Sequence, residues 1–236
     1  MKFPYKLIDL THTLDEAVPG WNNACIFKMD LAIDYHQCST DVKFRVHTLQ
    51  MPAGMGTHMD SPSHCIPGGL TIDQLPLTDL IVPCVMIDVS RKVFVDGTVN
   101  EDYRVSVEDI QEFEAVHRTI TEGSLVVINT GWQKFWSNPD RYRNDYKFPS
   151  VSIEAAQLLL TRNIVGLGTD TFSADRPVDE FRVHGAILGV GKYLVENIAS
   201  AQLLPPVGSF VGVFPLKLKG GSESPIRLIG MIPKNL

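Results

Sequence analysis

The sequence predicts a mixed α/β domain with a large β component, spanning residues 1–236 as one unit. Three observations carry that expectation. Period-two alternation marks two segments near the N-terminus, β-branched runs bounded by turn residues mark two more, and Ser-led segments with helical spacing lie beyond them. In chain order, "FKMDLAIDY" (27–35) and "VKFRVHTL" (42–49) alternate apolar and polar residues and read as half-buried strands, joined by a polar segment around Gln37 to Thr40. "CVMIDVS" (84–90) and "SLVVINT" (124–130) read as central strands. "SVEDIQEFEAV" (106–116) opens on Ser106 and early acids, the signature of a capped helix. "SIEAAQLLLTRN" (152–163) repeats that start and runs into "IVGLGTD" (164–170), a helix-to-strand step that suggests a βαβ element after the strand at 124–130. The C-terminal third returns to strands, "GSFVGVFPLKL" and "PIRLIGMIP", around a "KGGSES" turn. No repeat, low-complexity tract or charge block marks a linker.

Composition narrows the function classes. The 236 residues are enough for one substantial core. A net charge of −6 and the lack of any Lys/Arg run argue against nucleic-acid binding. No apolar stretch approaches the ~18–20 residues that span a membrane. The opening "MKFPYKLIDLTHTLDE" carries charge and Pro where a secretory leader would be apolar, so no signal peptide is expected. Four cysteines (Cys25, Cys38, Cys65, Cys84) without a CxxC pair make no disulfide framework, and a reduced cytoplasm is the default compartment. No GxSxG supports a serine hydrolase, and no motif marks Cys65 as a nucleophile.

The chemistry concentrates in residues 54–69, "GMGTHMDSPSHCIPGG". His58 and Asp60 are two apart, so an extended segment projects both from one face. Pro62 stops regular pairing, and the following residues bring His64 round. Imidazole nitrogen with carboxylate oxygen suits zinc or another first-row divalent ion. Gly56 removes a side chain where backbone passes close to another group. One loop supplies too few ligands, and the best further candidates are His184 and Glu196 in "DEFRVHGAILGVGKYLVENI" (179–198). In one unbroken helix, residues twelve apart would sit about 120° from one another. Gly189 and Gly191 make that helix doubtful, so the two can still converge.

GTHxDxPxH at 56–64, with HxxxL…EN from His184 to Asn197, resembles the metal-dependent cyclase family that includes bacterial kynurenine formamidase and isatin hydrolase. Over most of the chain, "LIDLTHTLDEAVPGW" (7–21), "GSLVVINTGWQKFW", "GLGTDTFSADRP" and "GGSESPIRLIGM" are similar to further family segments and come in the right order. The resemblance implies an α/β fold with a swivelling β/β/α-type core. It implies His58, Asp60, His184 and Glu196 as metal ligands, with Asp60 and Glu196 able to bridge two ions. It implies His64 as the catalytic acid/base, Trp21 as an aromatic of the substrate pocket, and a homodimer or larger homo-oligomer. The family motif is HxGTHxDxPxH, and its first His, a ligand of one of two ions, corresponds here to Gly54.

Three readings of Gly54 stay open. One divalent ion, Zn²⁺ or Mn²⁺, suffices with the other four ligands; Cys65 or His47 replaces the missing donor; or the centre is degenerate. The first two give a hydrolase of a small amide, lactam or ester that uses metal-activated water, with His64 moving the proton. The third gives a ligand-binding or interaction protein on the same fold. Asp170, Ser173 and Asp175 read as a polar loop that supports the fold, the ligands or the substrate, and His12 and His117 as structural or exposed.

Overall fold

A computed structural model describes residues 3–22 and 27–234; Cys25 lies outside the described residues. The N-terminal half contains strands β1 (Tyr5–Asp9), β2 (Lys28–Ile33), β3 (Val46–Gln50), β4 (His58–Asp60) and β5 (Ile81–Asp88). After helix α1 (Ser90–Val93) come the short strands β6 (Phe94–Val95), β7 (Thr98–Val99) and β8 (Arg104–Val105). Helix α2 (Val107–His117), β9 (Leu125–Asn129), α3 (Pro139–Arg143), β10 (Ser150–Val151), α4 (Ile153–Thr161) and β11 (Gly166–Thr169) follow. Helix α5 (Arg182–Gly189), β12 (Tyr193–Glu196), β13 (Ser209–Pro215) and β14 (Glu223–Pro233) complete the chain.

The main sheet runs β1-β14-β13-β5-β9-β11-β12-β4, and β4 pairs again with β14. That last pairing closes all of these strands except β1 into a barrel. The long strand β14 makes closure possible by dividing one edge: Glu223–Pro225 pair with β4, and Ile229–Pro233 pair with β1. β5, β9 and β11 are parallel, and β9–α4–β11 is the expected βαβ unit. Both expected helices form. Ser106 accepts a hydrogen bond from the Asp109 amide while Asp109 accepts one from the Ser106 amide, and Ser152 caps α4 through the Ala155 amide.

Strand alternation sorts the core into two layers. Met59, Met86, Val127, Val195, Val211 and Leu228 belong to a cluster inside the barrel. Val85, Ile87, Val126, Ile128 and Leu194 face outward into a second cluster with Ile110 of α2, Ala156 of α4 and Ile187 of α5. Since Met59 and Val195 point inward, their neighbours His58, Asp60 and Glu196 lie on the outer face, beside α5. Among the described residues no helix is long and apolar enough to cross a membrane.

The expected half-burial of the first two strands does not hold. β2 and β3 pair antiparallel, but every residue of both is exposed. Their pattern promises an apolar face, and no described residue covers it.

Candidate metal centre

β4 is three residues long, yet it is paired on both edges. His58 sits opposite Glu196 and Pro225, and Asp60 opposite Leu194 and Glu223. Residues directly opposite in antiparallel strands share a face, so the register brings His58 and Glu196 together. Gly189 ends α5, and Gly191, at φ +78°, turns the chain back into β12. That reversal lets His184 and Glu196 converge, which a continuous helix would forbid.

Each imidazole is held through Nδ1, leaving Nε2 directed at the carboxylates. His58 Nδ1 lies 2.9 Å from the Gly56 carbonyl, and His184 Nδ1 lies 2.6 Å from Asp175 Oδ1. Asp175 also accepts hydrogen bonds from the Val183 and His184 amides, so it fixes the start of α5 together with the imidazole. The same Gly56 carbonyl accepts from Asn197 Nδ2. Gly56 itself has φ +67°, and a Cβ there would fall 2.4 Å from Leu14. Its close neighbour is therefore core, and its service to the site is through its carbonyl.

The four donors form a compact, buried set. His58 Nε2 lies 3.6 Å from Asp60 Oδ1 and 3.4 Å from Glu196 Oε2. His184 Nε2 lies 3.7 Å from Asp60 Oδ2 and 3.4 Å from Glu196 Oε1. Each carboxylate thus shows one oxygen to each imidazole. Two groups have donor atoms all within 4.8 Å of one another: His58, Asp60 and Glu196, and Asp60, His64 and His184. Burial opposes charge on both imidazoles, but the surrounding carboxylates win. His58 is pushed up by Asp60 and Glu196, and His184 rises to about 9 through Asp175, Glu196 and Asp60. Burial, then the Asp60 charge, raises Glu196.

The donors border a cavity of about 560 Å³. Trp21, Phe172 and Phe181 form an aromatic wall, with the Trp21 ring 5.9 Å from Phe172 and 6.1 Å from Phe181 between centroids. His64 lines the same cavity, its ring 6.0 Å from that of His184. Cys65 also lines it but belongs to neither donor group, and burial with the charges of Asp60 and Asp175 raises its thiol pKa. His47 is exposed on β3 and does not border the cavity.

The family profile named Cyclase matches residues 8–176. The chain belongs to the Cyclase family. An isatin hydrolase of Roseibium aggregatum is 31% identical over 193 residues, covering 76% of this chain and 72% of the relative. A kynurenine formamidase of Salinibacter ruber is 24% identical over 225 residues, covering 94% and 96% respectively. The isatin hydrolase A structure from Ralstonia solanacearum superposes with a TM-score of 0.87 at 27% identity, covering 97% of this chain and 92% of that one. The chain is a metal-dependent hydrolase of this family, and the binding-protein alternative gives way to it.

The donor set fits a divalent cation. Asp60 Oδ1 is buried and makes no hydrogen bond. Two ligands each about 2.1 Å from an ion at a tetrahedral angle stand about 3.4 Å apart, the spacing seen here. The other Cyclase segments divide between site and scaffold. Trp132 of "TGW" is fully buried and donates to the Tyr142 carbonyl, and Arg227 of the closing strand pairs with Asp9 on β1. Asp170 accepts from the Thr130 amide and hydroxyl, and burial raises it to about 6 against those bonds. Ser173 borders the cavity with its buried hydroxyl unpaired. Phe172, Phe181, Glu180 and Glu223, which no motif marks as site residues, also border the cavity. The sequence reading puts Glu223 in the "KGGSES" turn, whereas β14 begins at that residue.

Proposed function

We propose that the enzyme hydrolyses a small, flat, uncharged amide, lactam or ester, with His58, Asp60, His184 and Glu196 holding Zn²⁺ or Mn²⁺ and His64 as the acid/base. The observation that carries this reading is the convergence of two imidazoles and two buried carboxylates, one oxygen without a hydrogen bond, beneath an aromatic-walled cavity. When bound, the cation supplies Lewis acidity, lowering the pKa of water and polarising a carbonyl. Asp175 and the Gly56 carbonyl keep the ligand imidazoles in one tautomer and orientation. Trp21, Phe172 and Phe181 pack against the substrate ring. His64 takes a proton from the attacking water and returns it to the leaving group. Glu180 and Glu223 border the cavity and, among the described residues, no Lys or Arg does, which favours a neutral substrate over a carboxylate-bearing one.

The donor groups divide into two halves that share Asp60, and neither needs a side chain at position 54. At least one divalent ion per chain is therefore expected. The exposed β2–β3 hairpin supports a homodimer or larger homo-oligomer, and the free thiols Cys38, Cys65 and Cys84 support a reducing, cytoplasmic setting. The whole chain, 1–236, acts as one hydrolase domain.

The test is elemental analysis of purified protein, followed by a screen of aryl formamides, isatin-like lactams and small lactones. Protein that neither carries nor takes up Zn²⁺ or Mn²⁺ would sink the reading. His64→Ala should keep its metal and lose roughly 10²–10⁴-fold in turnover; loss of metal in that variant would make His64 a ligand.

A further inference from the structure

Glu223 opens β14 directly opposite Asp60. Opposed residues of antiparallel strands share a face, so its side chain leaves the barrel on the same side as the candidate ligands. It borders the cavity, and its Oε1 lies 3.1 Å from His64 Nδ1. Neither group is sealed from solvent, at 25% and 32% side-chain exposure, so the pair adds little to stability. Its consequence is directional: with Nδ1 engaged, Nε2 is the nitrogen left for proton transfer.

Both partners are held in place by backbone. His64 ends a single turn, Pro62–His64, whose amide donates to the Ser61 carbonyl, while the Ser63 amide donates to Leu70. The Ser61 amide donates to the Ser222 carbonyl, tying this turn to the residue before Glu223. Gly54 completes the arrangement. A Cβ on it would stand 3.1 Å from Glu223 Oε1, 3.3 Å from its carboxyl carbon and 3.4 Å from Oε2. A side chain at position 54 would press on the carboxylate by a few tenths of an ångström, and the bare Cα relieves that crowding.

We propose that Glu223 is the positioning residue of His64, and that Gly54 is the clearance that admits it. The carboxylate accepts a hydrogen bond from Nδ1–H, which leaves Nε2 as the base, and it stabilises the imidazolium formed when Nε2 takes a proton from the attacking water. This rests on the assignment of His64 as acid/base.

The test uses the zinc-loaded full chain with ¹⁵N-labelled histidine, the His64 signal being identified by its loss in His64→Gln. Long-range ¹H–¹⁵N spectra should show neutral His64 protonated on Nδ1, and Glu223→Ala should move that proton toward Nε2. In the same variant kcat should fall about 10–100-fold with KM within about threefold and metal content unchanged, as for removal of an orienting partner. Glu223→Asp should recover part of the loss. Gly54→Val, which crowds the carboxylate, should shift tautomer and kcat in the same direction as Glu223→Ala. A wild-type proton on Nε2, a spectrum indifferent to Glu223→Ala, or loss of metal in that variant would each overturn the proposal. If no substrate is turned over, the hydrolase reading fails, and the tautomer with its response to Glu223→Ala decides the pairing alone.

Discussion

The β2–β3 hairpin and the 54–69 loop are neighbours in sequence and opposites in structure. The hairpin carries clear strand alternation over two five- to six-residue strands, yet all of it is exposed. The loop offers a three-residue strand broken by Gly and Pro, yet His58, Met59 and Asp60 are all buried. The difference is pairing. β4 is clamped between β12 and β14, whereas among the described residues β2 and β3 pair only with one another. A two-stranded hairpin alone is marginal in water. This one is held at its tip by local polar contacts, with Asp34 capping the turn Tyr35–Gln37 and pairing with Arg45. Leu31 at 48% and Leu49 at 58% exposure remain for a partner to cover. Alternation therefore marks a strand, while burial depends on what lies across from it.

The strongest test of that contrast is Asp60→Ala. It removes the carboxylate shared by both donor groups and should abolish stoichiometric metal binding, with a loss of turnover beyond the roughly 10–100-fold cost of losing an orienting partner. Elemental analysis beside steady-state rates checks this; a variant that keeps its metal would mean the ion sits elsewhere. A smaller effect is expected from Leu31→Glu on the hairpin. Metal content should hold, while the proposed homo-oligomer should dissociate at roughly 30-fold higher concentration, the cost of losing one interfacial anchor of about 2 kcal/mol. Sedimentation across a dilution series reads this directly, and unchanged mass would remove the hairpin from the interface.

The smallest effect concerns His12, which lies on the loop's side of the contrast. Its ring stacks on Trp136, centroids 3.9 Å apart, and its amide donates to Thr57. Burial lowers its pKa to about 4. The folded state thus binds this proton less readily than the unfolded chain, whose His titrates near 6.5. Its contribution is complete above that value and is lost as pH falls toward 4. Between about pH 7.5 and about pH 5 this amounts to on the order of 1–2 kcal/mol. His12→Phe keeps a stacking ring without the titration and should flatten the fall in urea-unfolding stability across that interval. An unchanged slope would assign the acid sensitivity to other groups.

Much of the fold was legible because its signals are local. Ser106 and Ser152 cap the helices they announce, and the runs at 84–90 and 124–130 become adjacent parallel strands. The candidate ligands were legible for a similar reason: a His and an Asp two apart share a face whatever surrounds them, and β4 is extended. What could not be read was convergence. His184 and Glu196 meet only because α5 stops at Gly189 and the chain reverses into β12, and Phe172 and Phe181 reach the cavity from loops without periodicity. Glu223 lay in the expected "KGGSES" turn, and only pairing with β4 makes it the first residue of β14.

By itself, then, the sequence determined which segments could be strands and helices and which residues could hold a cation. Covalent spacing and backbone geometry act within a few residues, so that much needs no partner. Tertiary structure decided the rest. Register across β4, β12 and β14 set who faces whom, closure of the barrel set which face is buried, and the bare Cα of Gly54 came to border Glu223. These depend on contacts between residues far apart in the chain, and a short-range pattern carries no information about them.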